Sequence, residues 1–240
     1  SQDPRIKFPE ATKNEGIQTI LVVPIPIRGQ ISGVLRLLTR TPRAYHQDEI
    51  NLVTAIGAQC GIAIENARIF KAQQIQLDYF KAIHEIGRKI NTTYALDTIL
   101  DLIVTRLPEV MHLKAATIRL IAENKGKLEL KAAHGLSQSY LERGPLDDEL
   151  ATYYIKQGEP VVIPDARQDI HTLYHKEARA EGISSILAVP IIVQDEIIGI
   201  MRLLTEEIRY FSTVDINFAM AVAEQSGVAI QRALDYSKLQ

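Results

Sequence analysis

Apolar positions along the chain recur with two periods. Phe80, Ile83, Ile86 and Ile90 have helical spacing, and Leu96, Ile99, Leu100, Ile103 and Leu107 resume it after Asn91-Thr92-Thr93 interrupts the path. Residues 115–121 read as a short strand, Glu123-Asn124-Lys125-Gly126 as a turn, and residues 128–133 as the returning strand, which ends at His134-Gly135. A helix is predicted within 145–157, stopped by Gly158. Val161-Val162-Ile163 then forms a short buried strand, and 169–180 a polar helix or loop. Residues 183–193 are apolar on both faces, the pattern of a central strand covered on both sides. Gln194-Asp195-Glu196 turns the chain, and 197–204 returns. Ser212 stands three residues before Asp215, close to a capping box, so a long helix should follow. Its Ala219, Ala223, Ser226, Ile230 and Ala233 form one stripe of mostly small residues, suited to lying close on a sheet.

Part of this pattern occurs twice. EGIQTILVVPIPIRGQISGVLRLLT, from Glu15, faces EGISSILAVPIIVQDEIIGIMRLLT, from Glu181, and AIGAQCGIAIENA, from Ala55, faces AVAEQSGVAIQRA, from Ala221. The offset is constant, and about two residues in five are identical across the stretch, well above chance for an ungapped match. The chain therefore carries two copies of one domain type. Residues 1–77 hold the C-terminal half of the first copy and a linker helix, and 78–240 hold the complete second copy. The apolar hairpin of a half-domain needs something to cover it, so the first copy is expected to be a fragment. No Pro or Gly pair interrupts the chain from Gln47 to beyond Arg88, which predicts one nearly continuous helix from about Asp48 to Ile90.

The order of the second copy is α, ββ, α, β, α, ββ, α. This predicts an α+β fold, an α/β sandwich in which a central antiparallel sheet is flanked by helices and a pocket lies between the sheet and the short middle helices. With EGI-x-S-I-L-A-V-P-I, the I-G-I return strand and the F-S-x-x-D helix start, the chain resembles the GAF domain family. The resemblance covers all of the second copy and the C-terminal half of the first. It implies two tandem sensor modules joined by a long helix, each of a type that binds a small molecule or dimerises, and it does not name the ligand.

Composition narrows the choices. The 27 Lys+Arg against 29 Asp+Glu give a formal net charge of -2, which argues against nonspecific nucleic-acid binding. A single cysteine excludes an intrachain disulfide and any Cys-pair metal site, and it fits a cytoplasmic protein. No apolar run reaches membrane-spanning length.

The candidate chemistry is sparse. Bilin-binding members of the family attach their chromophore through a cysteine. Cys60 aligns with Ser226 in the small-residue stripe and reads as a packed thiol, and the second copy has no cysteine, so no covalent bilin is expected there. The same shortage counts against the family's sulfoxide reductases. Cyclic-nucleotide-binding members carry an Asn-Lys-Phe-Asp-Glu signature. Tyr45, Asp48 and Glu49 match only its tail, and Phe211 and Asp215 lack the acidic pair. His171 and His175 would share a helix face, with Asp165 and Asp169 near in sequence. This spacing can hold zinc, but a polar helix wall or ligand contacts fit it better. Arg36 and Arg202 occupy the same position in the two copies, either as anchors for a carboxylate or phosphate or as partners of a neighbouring acid. No nucleophile triad or phosphate loop is visible.

The expectation is a non-catalytic, cytoplasmic sensory module of a larger signalling protein. A small ligand would bind in the second copy against His134, Tyr154, Asp165, Asp169, Tyr174 and Ser185, and the change would pass through long helices to an output such as a histidine kinase, a nucleotide cyclase or a transcription activator. The long helix carries an apolar stripe of Ile69, Phe80, Ile83, Ile86 and Ile90 that suits a homodimer. The rival expectation is a dimerisation module with no ligand.

Overall fold

The computed structural model describes residues 9–122, 127–144, 146, 155, 157–169 and 172–238. The chain divides into two compact units, Ser1–Ile75 and Gln76–Gln240.

The first unit begins with a short helix, α1 (Pro9–Asn14), followed by an antiparallel hairpin of β1 (Thr19–Ile27) and β2 (Gln30–Thr39). The long helix α2 runs unbroken from Gln47 to Ile90 and enters the second unit. Helix and hairpin meet where side chains are smallest. A Cβ on Gly57 would lie 2.7 Å from the Pro24 carbonyl oxygen, and one on Gly61 only 2.0 Å from that of Pro26. Val23 and Val53 are buried, whereas Val22, Ile31, Val34 and Leu38 on the hairpin are exposed.

The second unit is built on a five-stranded sheet in the order β4-β3-β7-β6-β5, antiparallel throughout. Its strands are β3 (Ala115–Ile121), β4 (Leu128–His134), β5 (Val161–Ile163), β6 (Ile186–Val193) and β7 (Glu196–Leu204). The helix α3 (Leu96–Met111) follows α2 after a short turn. The one-turn helix α4 (Gln138–Leu141) and α5 (His175–Glu181) lie in the connections, and α6 (Thr213–Lys238) closes the unit. The predicted helix within 145–157 and the turn at 123–126 fall almost wholly outside the described residues.

The sheet has two different faces. On one, Ala116, Ile118, Leu120, Leu187, Val189, Ile191, Met201 and Leu203 form the main core with residues of α3, α6 and the end of α2. Alternation along the strands carries the neighbouring residues to the other face. There, one apolar cluster joins Ala115, Ile163, Ile186 and Leu204 to Tyr140 and Ala178, and a second joins Leu128, Ala188 and Ile200 to Ile155. β6 is apolar on both sides because it lies between β5 and β7 with both of its faces covered. The expected small-residue stripe of α6 is buried, with Ala219, Ala223, Ser226, Ile230 and Ala233 each at most 1% exposed. Gly227 continues the close approach: a Cβ there would stand 2.8 Å from the Ile192 carbonyl oxygen.

The apolar stripe of the long helix is divided. Ile86 and Ile90 are buried in the core of the second unit and Ile83 packs against it, while Ile69 and Phe80 are exposed. The helix thus spends part of its apolar surface on its own sheet.

The two repeated hairpins, β1–β2 and β6–β7, turn through residues with positive φ, Arg28 and Gly29 in the first and Gln194 and Asp195 in the second. An L-residue is strained there and glycine is not. Asp195→Gly is therefore expected to stabilise the second unit by about 0.5 kcal/mol, read as a raised midpoint in urea. Gly199→Ala should act the other way. Its Cβ would meet the Arg119 carbonyl oxygen at 2.4 Å between two central strands, at a cost of about 2–3 kcal/mol in the same titration.

Candidate functional site: the segment after the edge strand and the carboxylate hub beneath it

The chain leaves β5 at Pro164 and folds into a tight turn around Asp165. The Asp165 carboxylate accepts from the Arg167 side chain at 2.6 and 2.9 Å, from the Arg167 backbone N–H at 3.1 Å and from Gln168 Nε2 at 3.0 Å. The Arg167 hydrogen bonds hold its carboxyl at a pKa of about 2, below the ordinary aspartate range. The Asp169 carbonyl lies 2.8 Å from His175 Nε2 at the start of α5. Ser185 is fully buried at the entrance to β6. Its hydroxyl donates to the Pro164 carbonyl at 2.5 Å and accepts from the Arg209 backbone N–H at 2.8 Å.

Asp165 and Asp169 thus lie on this segment, and Ser185 is bonded to it through the Pro164 carbonyl. Tyr174 stands before α5, over the turn that follows α4. Its hydroxyl occupies the space where a Cβ on Gly144 would fall, 2.4 Å away, so only glycine fits there. The Arg143 guanidinium is sandwiched nearby, 3.8 Å from the Tyr140 ring centre and 5.6 Å from that of Tyr174. His134 is exposed at the end of β4, opposite Ala116. Tyr154 and His171 lie outside the described residues. Among the described residues no three His, Cys, Asp or Glu side chains converge on a metal position. Cys60 is half-buried and lines a shallow apolar depression of the first unit, with Ala55, Ile56, Gln59 and Ala63.

Beneath this segment lies a group that the sequence pattern did not single out as a site. Arg209, whose N–H meets Ser185, also sends its guanidinium inward. Nη1 donates to the Met111 carbonyl at the end of α3 at 2.6 Å, and Nη2 to Asp215 Oδ1 at 2.8 Å. The same oxygen accepts from the Tyr79 hydroxyl on α2 at 2.6 Å, while Oδ2 accepts from the Ser212 N–H and hydroxyl, each at 2.8 Å. The Asp215 N–H returns a bond to Ser212 Oγ at 3.2 Å, which completes the predicted capping box. Tyr79 stacks on Phe218, with ring centres 4.1 Å apart. Burial alone would raise the Asp215 carboxyl pKa, but the bonds from Tyr79, Ser212 and Arg209 outweigh it and the net shift is downward. Burial first, and the neighbouring carboxylate second, push the Tyr79 phenol upward. The first unit holds a counterpart at the equivalent positions: Arg43 pairs with Glu49, and Glu49 accepts from the His46 N–H at 2.9 Å. This repeated basic–acidic pair is the sequence signal that would have found the hub.

A family model for the GAF domain matches residues 93–231, and another GAF domain model matches residues 1–64. The chain belongs to the GAF domain family. Its curated relatives include the formate hydrogenlyase transcriptional activator FhlA of Escherichia coli K12, 19% identical over 232 residues. That match covers 91% of this chain and 34% of the relative. The activator of the same name from Salmonella typhimurium is 18% identical over the same shares. The chain therefore spans about a third of the length of the relatives it matches. Among solved structures, the GAF domain of a phosphoenolpyruvate-protein phosphotransferase from Coxiella burnetii superposes with a TM-score of 0.61 at 22% identity, covering 68% of this chain and 98% of that one. The free methionine-R-sulfoxide reductase of Neisseria meningitidis, solved with its substrate, reaches 0.56 at 16% identity over 66% of this chain and 91% of that one. These likenesses show the fold, that of GAF domains.

The depressed Asp215 carboxyl carries a pH signature. Its folded value lies below the ordinary one, so its stabilisation is complete above the unfolded value near 4 and is lost as pH falls through the lower folded value. The difference in unfolding free energy between the native chain and Asp215→Asn should be constant at neutral pH and shrink below about pH 4. Asp215→Ala, which strands Arg209 and Tyr79, should cost about 2–4 kcal/mol in urea unfolding, and Tyr79→Phe about 1–2.

Proposed function

We propose that the chain is the sensory part of a longer signal-transduction protein, that its second GAF domain binds a small molecule above Pro164–Asp169, and that occupancy is passed to an output through α2 and α6. The observation that carries this reading is the hydrogen-bonded path from the Pro164 carbonyl through Ser185 and Arg209 to Asp215, where α6 starts, and to Tyr79 on α2. A ligand that moves the segment after β5 changes the length or angle of bonds on which both long helices depend. In this reading the chain is non-catalytic. The output is of transcription-activator or histidine-kinase class: the relatives matched over 91% of the chain are named as transcriptional activators, and one structural neighbour as a two-component sensor histidine kinase domain.

A second reading has its own support. On α2, Phe70, Leu77 and Phe80 are exposed at 63%, 50% and 61%, with spacings of seven and three residues. A helix that displays such a seam buries it in a parallel homodimer, through which a shift in one helix is felt by its partner. The two readings combine in a dimeric sensor, and the second alone describes a dimerisation module without ligand.

Non-denaturing mass spectrometry of the chain recovered from its own source should show a small molecule retained at one per chain. Hydrogen exchange at the start of α6 should differ between the loaded and the stripped protein, and Ser185→Ala should abolish that difference while leaving the molecule bound. Recovery of an empty chain that no small-molecule panel stabilises would leave the dimer alone. Light scattering should report a dimer, and Phe80→Glu should convert it to a monomer.

A further inference from the structure

The constant offset of the repeat carries each residue of the hub onto the first unit. Arg209, Phe211, Ser212, Asp215 and Phe218 correspond to Arg43, Tyr45, His46, Glu49 and Leu52. The polar frame is the same in both. In the second unit Arg209 Nη2 donates to one carboxylate oxygen of Asp215 and the Ser212 N–H to the other, each at 2.8 Å. In the first, Arg43 Nη2 donates to Glu49 Oε1, and the His46 N–H to Oε2 at 2.9 Å.

The two units differ in what lies on this frame. In the second, the Tyr79 hydroxyl donates to Asp215 Oδ1 at 2.6 Å and its ring stacks on Phe218. Two turns further on, Gly87 stands against the Gln225 side chain, and the Asn91 side chain accepts from Arg232 at 2.7 Å. The end of α2 therefore runs beside α6 in the same direction. In the first unit the same place is a cleft of about 320 Å³ between the end of β2 and the start of α2. Leu37, Thr39, Arg43, Tyr45, Glu49 and Leu52 are among its walls. Leu52 and Ile56 are 63% and 46% exposed, whereas their counterparts Phe218 and Val222 are 3% and 0% exposed. The shallow depression that follows on α2 is lined by Ile56, Gln59 and Ala63, the counterparts of Val222, Gln225 and Ala229. Cleft and depression thus mark, in order, the counterparts of the places where Tyr79 and Gly87 rest in the second unit.

The chemistry of the cleft selects its guest. The His46 N–H and then Arg43 hold the Glu49 carboxyl below the ordinary glutamate range, so at neutral pH it is an anion and only accepts. An acid group is repelled by it, and an ammonium meets the Arg43 guanidinium beside it. A neutral donor on a flat apolar ring satisfies both Glu49 Oε1 and the exposed Leu52, and a phenol is such a group. The exposed face extends from Leu52 to Ala63, about 16 Å along the helix axis at 1.5 Å per residue, beyond the reach of one ring. We infer that this cleft is a receptor for a tyrosine carried on a partner helix, which lies parallel to α2 along the Leu52–Ala63 face and donates its phenol to Glu49. The site belongs to the first unit alone and stands whether or not a small molecule binds in the second.

The probe is a synthetic peptide with the sequence of residues 76–91. Phe80→Gln removes from it the ring that is exposed on α2, and a Lys81–Glu85 side-chain lactam holds it helical, since a free helix of this length is marginal. It is titrated against the whole 240-residue chain by fluorescence anisotropy. Saturable binding at one per chain is expected, with hydrogen exchange slowed within 37–63 and unchanged at the start of α6. Tyr79→Phe in the peptide and Glu49→Ala in the chain should each weaken binding about tenfold, and together no more than either alone, because both delete one bond. Leu52→Asn should weaken it at least about tenfold, and Phe70→Gln should leave it unchanged. These chain positions are at least partly exposed, and circular dichroism confirms that the variants are folded. The receptor is overturned if the peptide does not bind, if the Tyr79→Phe and Glu49→Ala losses add, or if protection falls on 66–84 instead. It is overturned in favour of a second copy if Leu52→Asn turns a dimer of the chain into a monomer. It is overturned in favour of a free phenol if p-cresol binds with the same dependence on Glu49 and the peptide does not.

Discussion

The second domain is organised around one buried carboxylate. Asp215 accepts a phenol, a guanidinium, a backbone N–H and a serine hydroxyl, and through these four donors it ties the end of α2 and the loop before α6 to the start of α6. Arg209 extends the tie to the last turn of α3 and to the entrance of β6. Apolar packing alone would let three helices slide on a sheet of Ile, Leu and Val with little change in buried area. Directional bonds to a charge that is costly to leave unsatisfied do not permit that slide. The hydrophobic core supplies most of the stability, and the hub supplies the register in which the helices sit on it.

The duplication separates what the hub needs from what surrounds it. Arg43 and Glu49 repeat the ion pair in the first copy, yet Arg43 is half in solvent and Glu49 has no tyrosine bonded to it among the described residues. There the pair serves as a helix cap. In the second copy the same two positions acquire Tyr79, Ser212 and burial, and the cap becomes a junction of four elements. A junction of four elements is what the proposed sensory reading needs and a plain cap does not supply.

Much of this architecture was legible in the chain. The strands from Ala115 to Leu204, the break after Ile90, the unbroken helix before it and the capping box at Ser212 followed from periodicity, turn residues and the internal repeat. So did the central position of β6, whose residues are apolar without alternation. The hub was legible only in part: the repeated pair at Arg43/Glu49 and Arg209/Asp215 marks it, but Tyr79 is 136 residues from Asp215 and nothing in its helical pattern ties the two. The burial of Arg119 was not legible, since an arginine within Ala-Ala-Thr-Ile-Arg-Leu-Ile does not by itself say which side of the strand is covered. Only the register against β7 shows that this side is buried and that Arg202 shares it. The stripe on α2 was seen as one surface, and the fold divides it, because a long helix meets its own core only along part of its length.

The glycines record how the two copies have drifted apart. Gly16 and Gly182 still match, each in a left-handed turn, and so do Gly61 and Gly227, which lie against the Pro26 and Ile192 carbonyls. Gly29 has become Asp195, and Gly57 has become Ala223. The positions that changed are a hairpin tip, where a short polar side chain costs tenths of a kcal/mol, and the looser of the two helix contacts in the first copy. Of the two helix contacts in the first copy, the one kept as glycine in the second is the closer, at Gly61, where a Cβ would meet the Pro26 carbonyl oxygen at 2.0 Å. The two copies differ in the chemistry of their hairpin tips, while both keep glycine where helix and sheet approach within a carbonyl's reach at Gly61 and Gly227. Two domains that differ at their hairpin tips thus keep one close separation between the last helix and the sheet beneath it.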